Sequence, residues 1–177
     1  APACADSEEG ARHAFYLGMI RLVRGEYMEA LESFNRADIL NKDKGFEMQL
    51  KKYVIVTKLL LSDYSLYYPY SDELRPYFSL IGAVRRAELA SFYEILEMFR
   101  AEFVSMRLYF VVRRLLSNLL REGLRKISVC YSRIAVADIS RILGVGADYL
   151  MHHAIKSKFI GGYVRDGIYY GESQEQR

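Results

Sequence analysis

The chain has 177 residues, of which 51% are apolar and 27% are charged, and this predicts a globular chain of one large domain or two small ones. Neither of its long apolar runs is expected to span a membrane, because Tyr53–Leu61 is too short and Leu108–Leu120 is interrupted by Arg113-Arg114. The N-terminus has neither the basic nor the apolar segment of a signal peptide. It also lacks an initiator Met, so we expect a processed form or a fragment of a longer chain.

Cysteine content and charge narrow the class of protein further. Cys4 and Cys130 form neither a disulfide framework nor a zinc pattern, and they suit a reducing compartment. The net charge of +3 is unevenly spread, since residues 1–50 carry nine acids and six bases, whereas residues 121–170 carry four acids and eight bases. The basic C-terminal stretch predicts either nucleic acid or an acidic protein as a neighbour, although its charge is low for a phosphate-binding surface.

Residues 11–40 have the spacing of a tetratricopeptide-type helix pair. Small residues are expected where the two helices cross, a glycine where the first helix ends, and an aromatic residue in the groove between them. These positions are Gly18, Gly25, Ala30, Phe34 and Ala37. Lys42 stands where such a repeat usually has Pro, and an ordinary helical hairpin with small residues by chance is the alternative.

A helix is predicted from Asp43 to Leu61, and it should lie between neighbouring helices because its C-terminal part is apolar around much of its circumference. The loop Tyr64–Tyr70 that follows holds four tyrosines, including Tyr67 and Tyr68. Two interpretations remain open: the loop folds over the helices, or its tyrosines contact a partner protein.

Further helices are predicted at residues 71–86, Leu89–Phe103 and Met106–Ile127, with a short turn at Ala87-Glu88. The second and third have apolar stripes that should be buried. The stripe residues are Phe92, Ile95, Leu96, Phe99, Leu108, Val111, Val112, Leu115, Leu116, Leu119 and Leu120. No flexible linker follows, so we expect the helical array and the C-terminal part to move as one rigid body.

The C-terminal part has the element order of a winged helix: strand, helix, helix, hairpin. A β-prone run at residues 131–134 precedes a helix over 136–143, whose Ile139, Ile142 and Leu143 should share an inner face, and Gly144 suits a left-handed C-cap. A second helix is predicted over residues 147–158. Asp166-Gly167 between two aromatic runs suits both left-handed positions of a type I′ hairpin turn.

Helical repeats that continue through a long helix into a terminal winged helix resemble the PCI domain, named after the proteasome lid, the COP9 signalosome and a translation-initiation factor. The stretches Ala11–Gly18, Pro76–Arg85 and Ile127–Ser140 resemble PCI subunits of the proteasome lid. The predicted fold is therefore mostly α, with a helical-repeat subdomain over 1–127, a winged helix over 128–172 and a tail over 173–177. The chain departs from the family at Ala87-Glu88, where Gly is common.

The resemblance implies a non-catalytic scaffold that needs no cofactor and assembles in a hetero-oligomer with other lid PCI subunits, in the cytoplasm and nucleus. It implies a role in ubiquitin-dependent protein degradation. Winged helices of the family stand side by side, so the surface that joins subunits is expected on the strands and the wing. The candidate contact residues are Tyr131, Arg133, Tyr163, Arg165, Ile168 and Tyr170, with Tyr67 and Tyr68 as a second group.

The sequence gives less support to three other functions. Catalysis is not expected, because the adjacent His152 and His153 point about 100° apart on a helix, and His13 is far from both in sequence. A nucleic-acid-binding winged helix would expose His152, His153 and Lys156, but this helix offers no Arg, Asn or Gln to pair with base edges. A PCI subunit of the COP9 signalosome is a further alternative.

Overall fold

The computed structural model describes residues 8–65, 68–69 and 71–171, and this part of the chain is mostly α-helical, as predicted. A 3-10 turn at Asp72–Leu74 precedes the fourth helix. In chain order the helices and strands are α1 (Glu8–Arg24), α2 (Tyr27–Leu40), α3 (Lys44–Leu60), α4 (Arg75–Arg86), α5 (Leu89–Met98), α6 (Arg100–Ser105), α7 (Tyr109–Arg113), α8 (Leu115–Cys130), β1 (Arg133–Ala135), α9 (Val136–Leu143), α10 (Asp148–Lys156), β2 (Tyr163–Arg165) and β3 (Ile168–Tyr170).

The chain packs as two units. The first comprises residues up to 81 together with residues 95–115, and the second comprises residues 82–94 together with those from 116 onward. Parts of α4, α5 and α8 therefore pack with the C-terminal strands and helices. The predicted domain boundary at residues 127 and 128 and the expected rigid-body behaviour stay predictions. None of the helices in the described ranges is long and apolar enough to cross a membrane.

Several element ends follow from local sequence chemistry. Gly25 has a φ of +91° and ends α1, as predicted. Asp43 caps α3, because its side chain accepts a hydrogen bond from a backbone N–H of the first turn. Gly144 caps α9 with a φ of +72°, and the hairpin turn at Asp166-Gly167 has φ values of +51° and +71°. The predicted C-cap and the predicted hairpin turn are both confirmed by these φ values. Such positions can be predicted from sequence because only a few residue types adopt a left-handed backbone at low cost.

The helix pair predicted in residues 11–40 is present as α1 and α2, and the two helices pack closely at Gly18. The atoms nearest Gly18 belong to Phe34, the aromatic residue predicted to fill the groove between the two helices. A Cβ atom on Gly18 would lie 2.6 Å from the Phe34 ring. Ala30 and Phe34 lie on the same face of α2, one turn apart, and the ring fills the space opposite Gly18. Both residues have no exposed surface.

An aromatic cluster forms the core around this helix pair. The Phe15 ring lies 5.8 Å from the ring of Phe34, 5.2 Å from that of Phe46 and 4.9 Å from that of Tyr53, measured between centroids. The tilted and edge-on arrangements are those that aromatic quadrupoles favour. Ala37 is fully buried in α2, as predicted for a position that admits the next helix.

Polar contacts join distant parts of the first unit. The Arg114 guanidinium donates to the carbonyl oxygens of Leu22 at 3.2 Å and Val23 at 2.8 Å, which satisfies acceptors in the last turn of α1. Lys52 pairs with Glu102 at 2.7 Å. These contacts tie residues 95–115 to the repeat helices.

One buried hydroxyl in the first unit has no hydrogen-bond partner among the described residues, and it gives a first testable prediction. Tyr77 has no exposed surface, and its ring packs edge-on against Phe103 at 5.7 Å. Tyr77→Phe should therefore raise the free energy of unfolding by about 1 kcal/mol, because it removes the desolvated hydroxyl and keeps the packing.

The matched control is Tyr53→Phe. Tyr53 is also buried, but its hydroxyl donates to the Met106 carbonyl oxygen, so this variant should lose about 1 kcal/mol. Urea denaturation followed by circular dichroism measures both. Equal losses in the two variants would mean that the Tyr77 hydroxyl is paired in solution.

Two predicted long helices are interrupted. The helix predicted over Leu89–Phe103 breaks at Phe99 into α5 and α6, and the one predicted over Met106–Ile127 consists of α7 and α8 with a break at Arg114. Arg107, just before α7, has a left-handed φ of +55°. No Gly or Pro marks either break in the sequence, so the prediction was wrong there for lack of a local signal.

The predicted apolar stripes are buried in their centres only. Phe92, Leu96, Leu108, Val111, Val112, Leu115 and Leu119 are buried, whereas Ile95, Phe99, Leu116 and Leu120 are half-buried.

The second unit contains a three-stranded antiparallel sheet with strand order β1–β3–β2. Strand, two helices and hairpin occur in the order predicted from the sequence. That they constitute the winged helix of a PCI domain stays a prediction. The sheet and helices enclose a core cluster that consists of Leu124, Ile127, Ile134, Val136, Ile139, Leu143, Ala147, Met151, Ala154, Ile160 and Tyr169.

One residue of α9 departs from its predicted place. Ile142 was expected on the inner face with Ile139 and Leu143, but 53% of it is exposed, whereas Ile139 has no exposed surface. Ile142 directly precedes Leu143 in the last turn, and adjacent positions on a helix point about 100° apart. Only one of them can enter the core.

Candidate subunit interface

The register of the sheet separates the candidate contact residues from the core. Arg133 pairs with Tyr170, which pairs with Tyr163, and Ala135 pairs with Ile168, which pairs with Arg165. Because side chains alternate along a strand, these six residues share one face of the sheet. The opposite face carries Ile134, Val164 and Tyr169, which pack in or against the core cluster. Five of the six candidates named for this surface therefore lie on the outer face.

The outer face carries a row of rings and a cation across its three strands. The Tyr163 and Tyr170 rings stack with centroids 5.2 Å apart and planes 16° apart. The Arg133 guanidinium lies 5.4 Å from the Tyr170 centroid, within the range of a cation–π contact. Such contacts hold the three side chains in place before any partner arrives, which lowers the entropy lost on binding.

Exposure differs among the candidates. Tyr163 is 57% exposed, Tyr131 is 43% exposed, and both arginines are exposed. Ile168 and Tyr170 are half-buried. Arg165 pairs with the adjacent Asp166 at 3.6 Å, and both side chains are mostly in solvent, so this pair contributes little to stability. Tyr163 is therefore open to solvent, whereas Tyr169, on the opposite face of the sheet, is buried in the core cluster.

Two residues outside the candidate set build this surface. The Tyr169 hydroxyl donates to the Gly161 carbonyl oxygen at 2.6 Å, which fixes the approach to β2. Gly162 has a φ of +112°, and a Cβ atom there would lie 2.1 Å from the Tyr170 carbonyl oxygen. Only glycine fits that close approach. The Gly161-Gly162 pair before a predicted strand was the signal that could have found it.

The second candidate group is described only in part, since Tyr67 lies outside the described residues. Tyr68 is half-buried, and this burial raises the pKa of its phenol. For Tyr68 this favours a loop that folds over the helices. The expected partner contact on this loop stays a prediction.

The surface of α10 is the place where a nucleic-acid-binding winged helix would read bases. Tyr149 is 77% exposed, and His152, His153 and Lys156 are exposed. The Tyr149 and His153 rings lie 6.0 Å apart, and His152 Nδ1 donates to the Asp148 carbonyl oxygen at 2.8 Å. The side chains of Tyr149, His152 and His153 therefore already make contacts within the helix. The described residues contain no group of three or more His, Cys, Asp or Glu placed to hold a metal ion.

From this surface we predict weak and sequence-independent binding of duplex DNA or RNA, which fades between low and physiological salt. Lys156→Ala should lower the binding only at low salt, since a single phosphate contact is lost. Fluorescence anisotropy of labelled duplexes over a salt series measures this. A duplex bound tightly at physiological salt, with a sequence preference that His152→Ala abolishes, would contradict it.

Comparison with known proteins decides the family. Residues 1–81 match the family model described as PSMD3-like, N-terminal TPR repeats. Over 173 residues, 96% of this chain, it is 42% identical to the 26S proteasome regulatory subunit RPN3 of Encephalitozoon cuniculi. The chain is a relative of the 26S proteasome regulatory subunit 3 proteins. The resemblance to proteasome regulatory subunits and the tetratricopeptide-like repeat predicted from the sequence are thereby confirmed.

The chain is also similar to subunit 3 proteins of other organisms. The chain is 34% identical over 170 residues to the 26S proteasome non-ATPase regulatory subunit 3 homolog B of Arabidopsis thaliana, and 34% identical over 146 residues to the subunit 3 of Dictyostelium discoideum. It covers 46% of the Encephalitozoon protein and 34% of the Arabidopsis protein, so it spans less than half of these relatives. All three relatives are named as regulatory subunits, and those of Arabidopsis and Dictyostelium are named as non-ATPase subunits.

Proposed function

We propose that the chain is a non-catalytic scaffold subunit of the 26S proteasome regulatory-particle lid, active in the cytoplasm and nucleus in ubiquitin-dependent protein degradation. Its C-terminal unit acts as the winged helix of a PCI domain and joins neighbouring lid subunits, and its helices act as a tetratricopeptide-like array.

The observation that carries this proposal is the outer face of the sheet. Arg133, Tyr163 and Tyr170 form an ordered row there, and Arg165 and Ile168 share the face. Aromatic residues and arginine are the residue types that most often dominate binding energy at protein interfaces. The surface also has cations at its edges, so an acidic neighbour would be attracted and its encounter accelerated.

The test is affinity purification of the full chain from cells that carry a tagged copy, followed by identification of the bound proteins. Lid subunits in stoichiometric amounts are the expected result. Recovery of signalosome subunits would favour the alternative complex, and recovery of chromatin or RNA-binding proteins without lid subunits would overturn the scaffold proposal. The same purification in 0.5 M salt separates an interface with apolar anchors from association by charge alone.

A further inference from the structure

A second surface of the C-terminal unit forms a cleft. It has a volume of about 480 Å³ and is lined by four segments of that unit. They are the end of α4 with the turn that follows it, the start of α5, the middle of α8 and the end of α9. The cleft does not include the outer face of the sheet.

Close approach of small residues builds the floor of this cleft. A Cβ atom on Gly123 would lie 2.5 Å from a methyl group of Leu143 and 3.4 Å from the Cβ atom of Ala87. Ala87 has a left-handed φ of +59°, and the next residue, Glu88, donates its N–H to the Ala83 carbonyl oxygen at 3.0 Å. The turn in which the family often has Gly is therefore formed here by Ala87 in the conformation that glycine favours. These contacts hold α8, the end of α9 and the turn after α4 in fixed positions around the cleft.

The rim of the cleft is basic. Arg86, Lys126 and Arg141 lie on it, and Glu88 is the one acid among the described residues that line it. Arg86 pairs with Glu88 at 2.8 Å, so that acid is already neutralised from within the cleft. Lys126 donates to the Arg85 carbonyl oxygen, which places its ammonium group at the rim. Three bases against one acid give the lining a net charge of +2, and Asp138, which is not part of the lining, pairs with Arg141 at 3.1 Å. Both ion pairs are solvent-exposed and therefore weak, so the bases remain available to a carboxylate-bearing occupant.

The rim also offers an apolar contact. Ile142 is 53% exposed, although its position beside Ile139 and Leu143 in the sequence predicts burial. Leu89, which also lines the cleft, is half-buried. Ligand-binding clefts are lined mostly by apolar side chains together with a few polar or charged groups, and Ile142 and Leu89 supply the apolar part here.

We propose that this cleft binds a short segment of a partner protein in which an aliphatic or aromatic side chain is flanked by carboxylates. The apolar side chain contacts Leu89 and Ile142, and the carboxylates meet Lys126 and Arg141. The inference concerns a surface separate from the outer face of the sheet, and it does not depend on which complex the chain joins.

The test uses the full chain and three labelled peptides in a fluorescence anisotropy titration. The probe is acetyl-Glu-Glu-Leu-Leu-Glu-Glu-amide. One control peptide replaces the leucines with serine, and the other replaces the glutamates with lysine. The probe should bind weakly and specifically, and each control peptide should bind about tenfold more weakly, because each lacks one of the two complementary features.

Two variants locate the site. Arg141→Glu and Ile142→Ser should each weaken binding of the probe by about tenfold. Arg165→Glu is the matched control, because Arg141 and Arg165 are 80% and 78% exposed and each pairs with an aspartate of its own segment. It should leave the binding unchanged, and circular dichroism confirms that each variant is folded.

Three results would overturn the proposal. One is equal loss of binding in Arg141→Glu and Arg165→Glu, which would mean that the peptide is attracted by general charge. Another is equal binding of the serine peptide, which would mean that the site takes anions only. The last is self-association of the chain that Ile142→Ser abolishes in sedimentation, which would make a second copy the occupant.

Discussion

Tyr163→Asp should leave the chain folded and prevent its incorporation into the lid. Tyr163 is 57% exposed on the outer face of the sheet, and its ring stacks on Tyr170. The substitution removes an aromatic anchor and places a charge where an apolar contact is needed. Loss of a central anchor of this kind lowers the binding free energy of an interface by about 2–4 kcal/mol. Co-purification of the variant with lid subunits measures the effect, and circular dichroism establishes that the variant is folded.

Two control variants distinguish contact from folding. Tyr149→Asp makes the same change on α10, at a residue that is 77% exposed on a different surface, and it should assemble normally. Tyr169→Asp places a charge at a residue that is 1% exposed in the core cluster, and it should unfold the C-terminal unit. Ile168→Asp, at a half-buried position of the outer face, should lower both assembly and stability.

If Tyr163→Asp and Arg133→Glu both fold and still assemble with the lid in normal amounts, the proposed interface is wrong. The contact would then lie on the Tyr64–Tyr70 loop or on the concave face of the helical array. Equal failure of Tyr149→Asp would instead mean that any new acid on this unit blocks assembly through charge.

Gly18→Leu should lower the free energy of unfolding by about 3 kcal/mol, because overpacking a buried helix crossing forces side chains out of their rotamers. A Cβ atom on Gly18 would already lie 2.6 Å from the Phe34 ring, and Phe34 is itself fully buried, so the ring would have to shift within the core. Ala30→Leu, at a position with no exposed surface on the same face of α2, should cost about 1–3 kcal/mol. Thermal and urea denaturation measure both.

The matched control for the crossing is Gly45→Ala. A Cβ atom on Gly45 would meet only the Asp43 carboxylate, at 3.4 Å, and the residue lies in the first turn of α3. Removing the backbone freedom of a helical glycine should stabilise the chain by about 0.5 kcal/mol. If Gly18→Leu proves as harmless as Gly45→Ala, the close packing of α1 on α2 is wrong.

The parts of this protein that its sequence determined are those that depend on nearest neighbours in the chain. A glycine after an apolar stripe ended α1 and α9, and Asp166-Gly167 formed the hairpin turn, because the left-handed backbone is open to few residue types. Strand periodicity already placed Arg133 apart from Ile134, and Tyr163 apart from Val164. The candidate face of the sheet could therefore be predicted before the register was known, since alternation is a property of each strand alone.

Only the tertiary structure decided which apolar residue is left outside. Ile142 and Leu143 are similarly hydrophobic, so hydrophobicity does not distinguish them. Leu143 is the one that is buried, and it packs closely against Gly123 of α8. The close contact between Gly18 and the Phe34 ring also depends on the tertiary structure, because the two residues belong to different helices. The breaks at Phe99 and Arg114 carry no local signal either. Packing between segments distant in sequence outweighs helix propensity, because burial of several apolar side chains exceeds the fractions of a kcal/mol that separate local conformations.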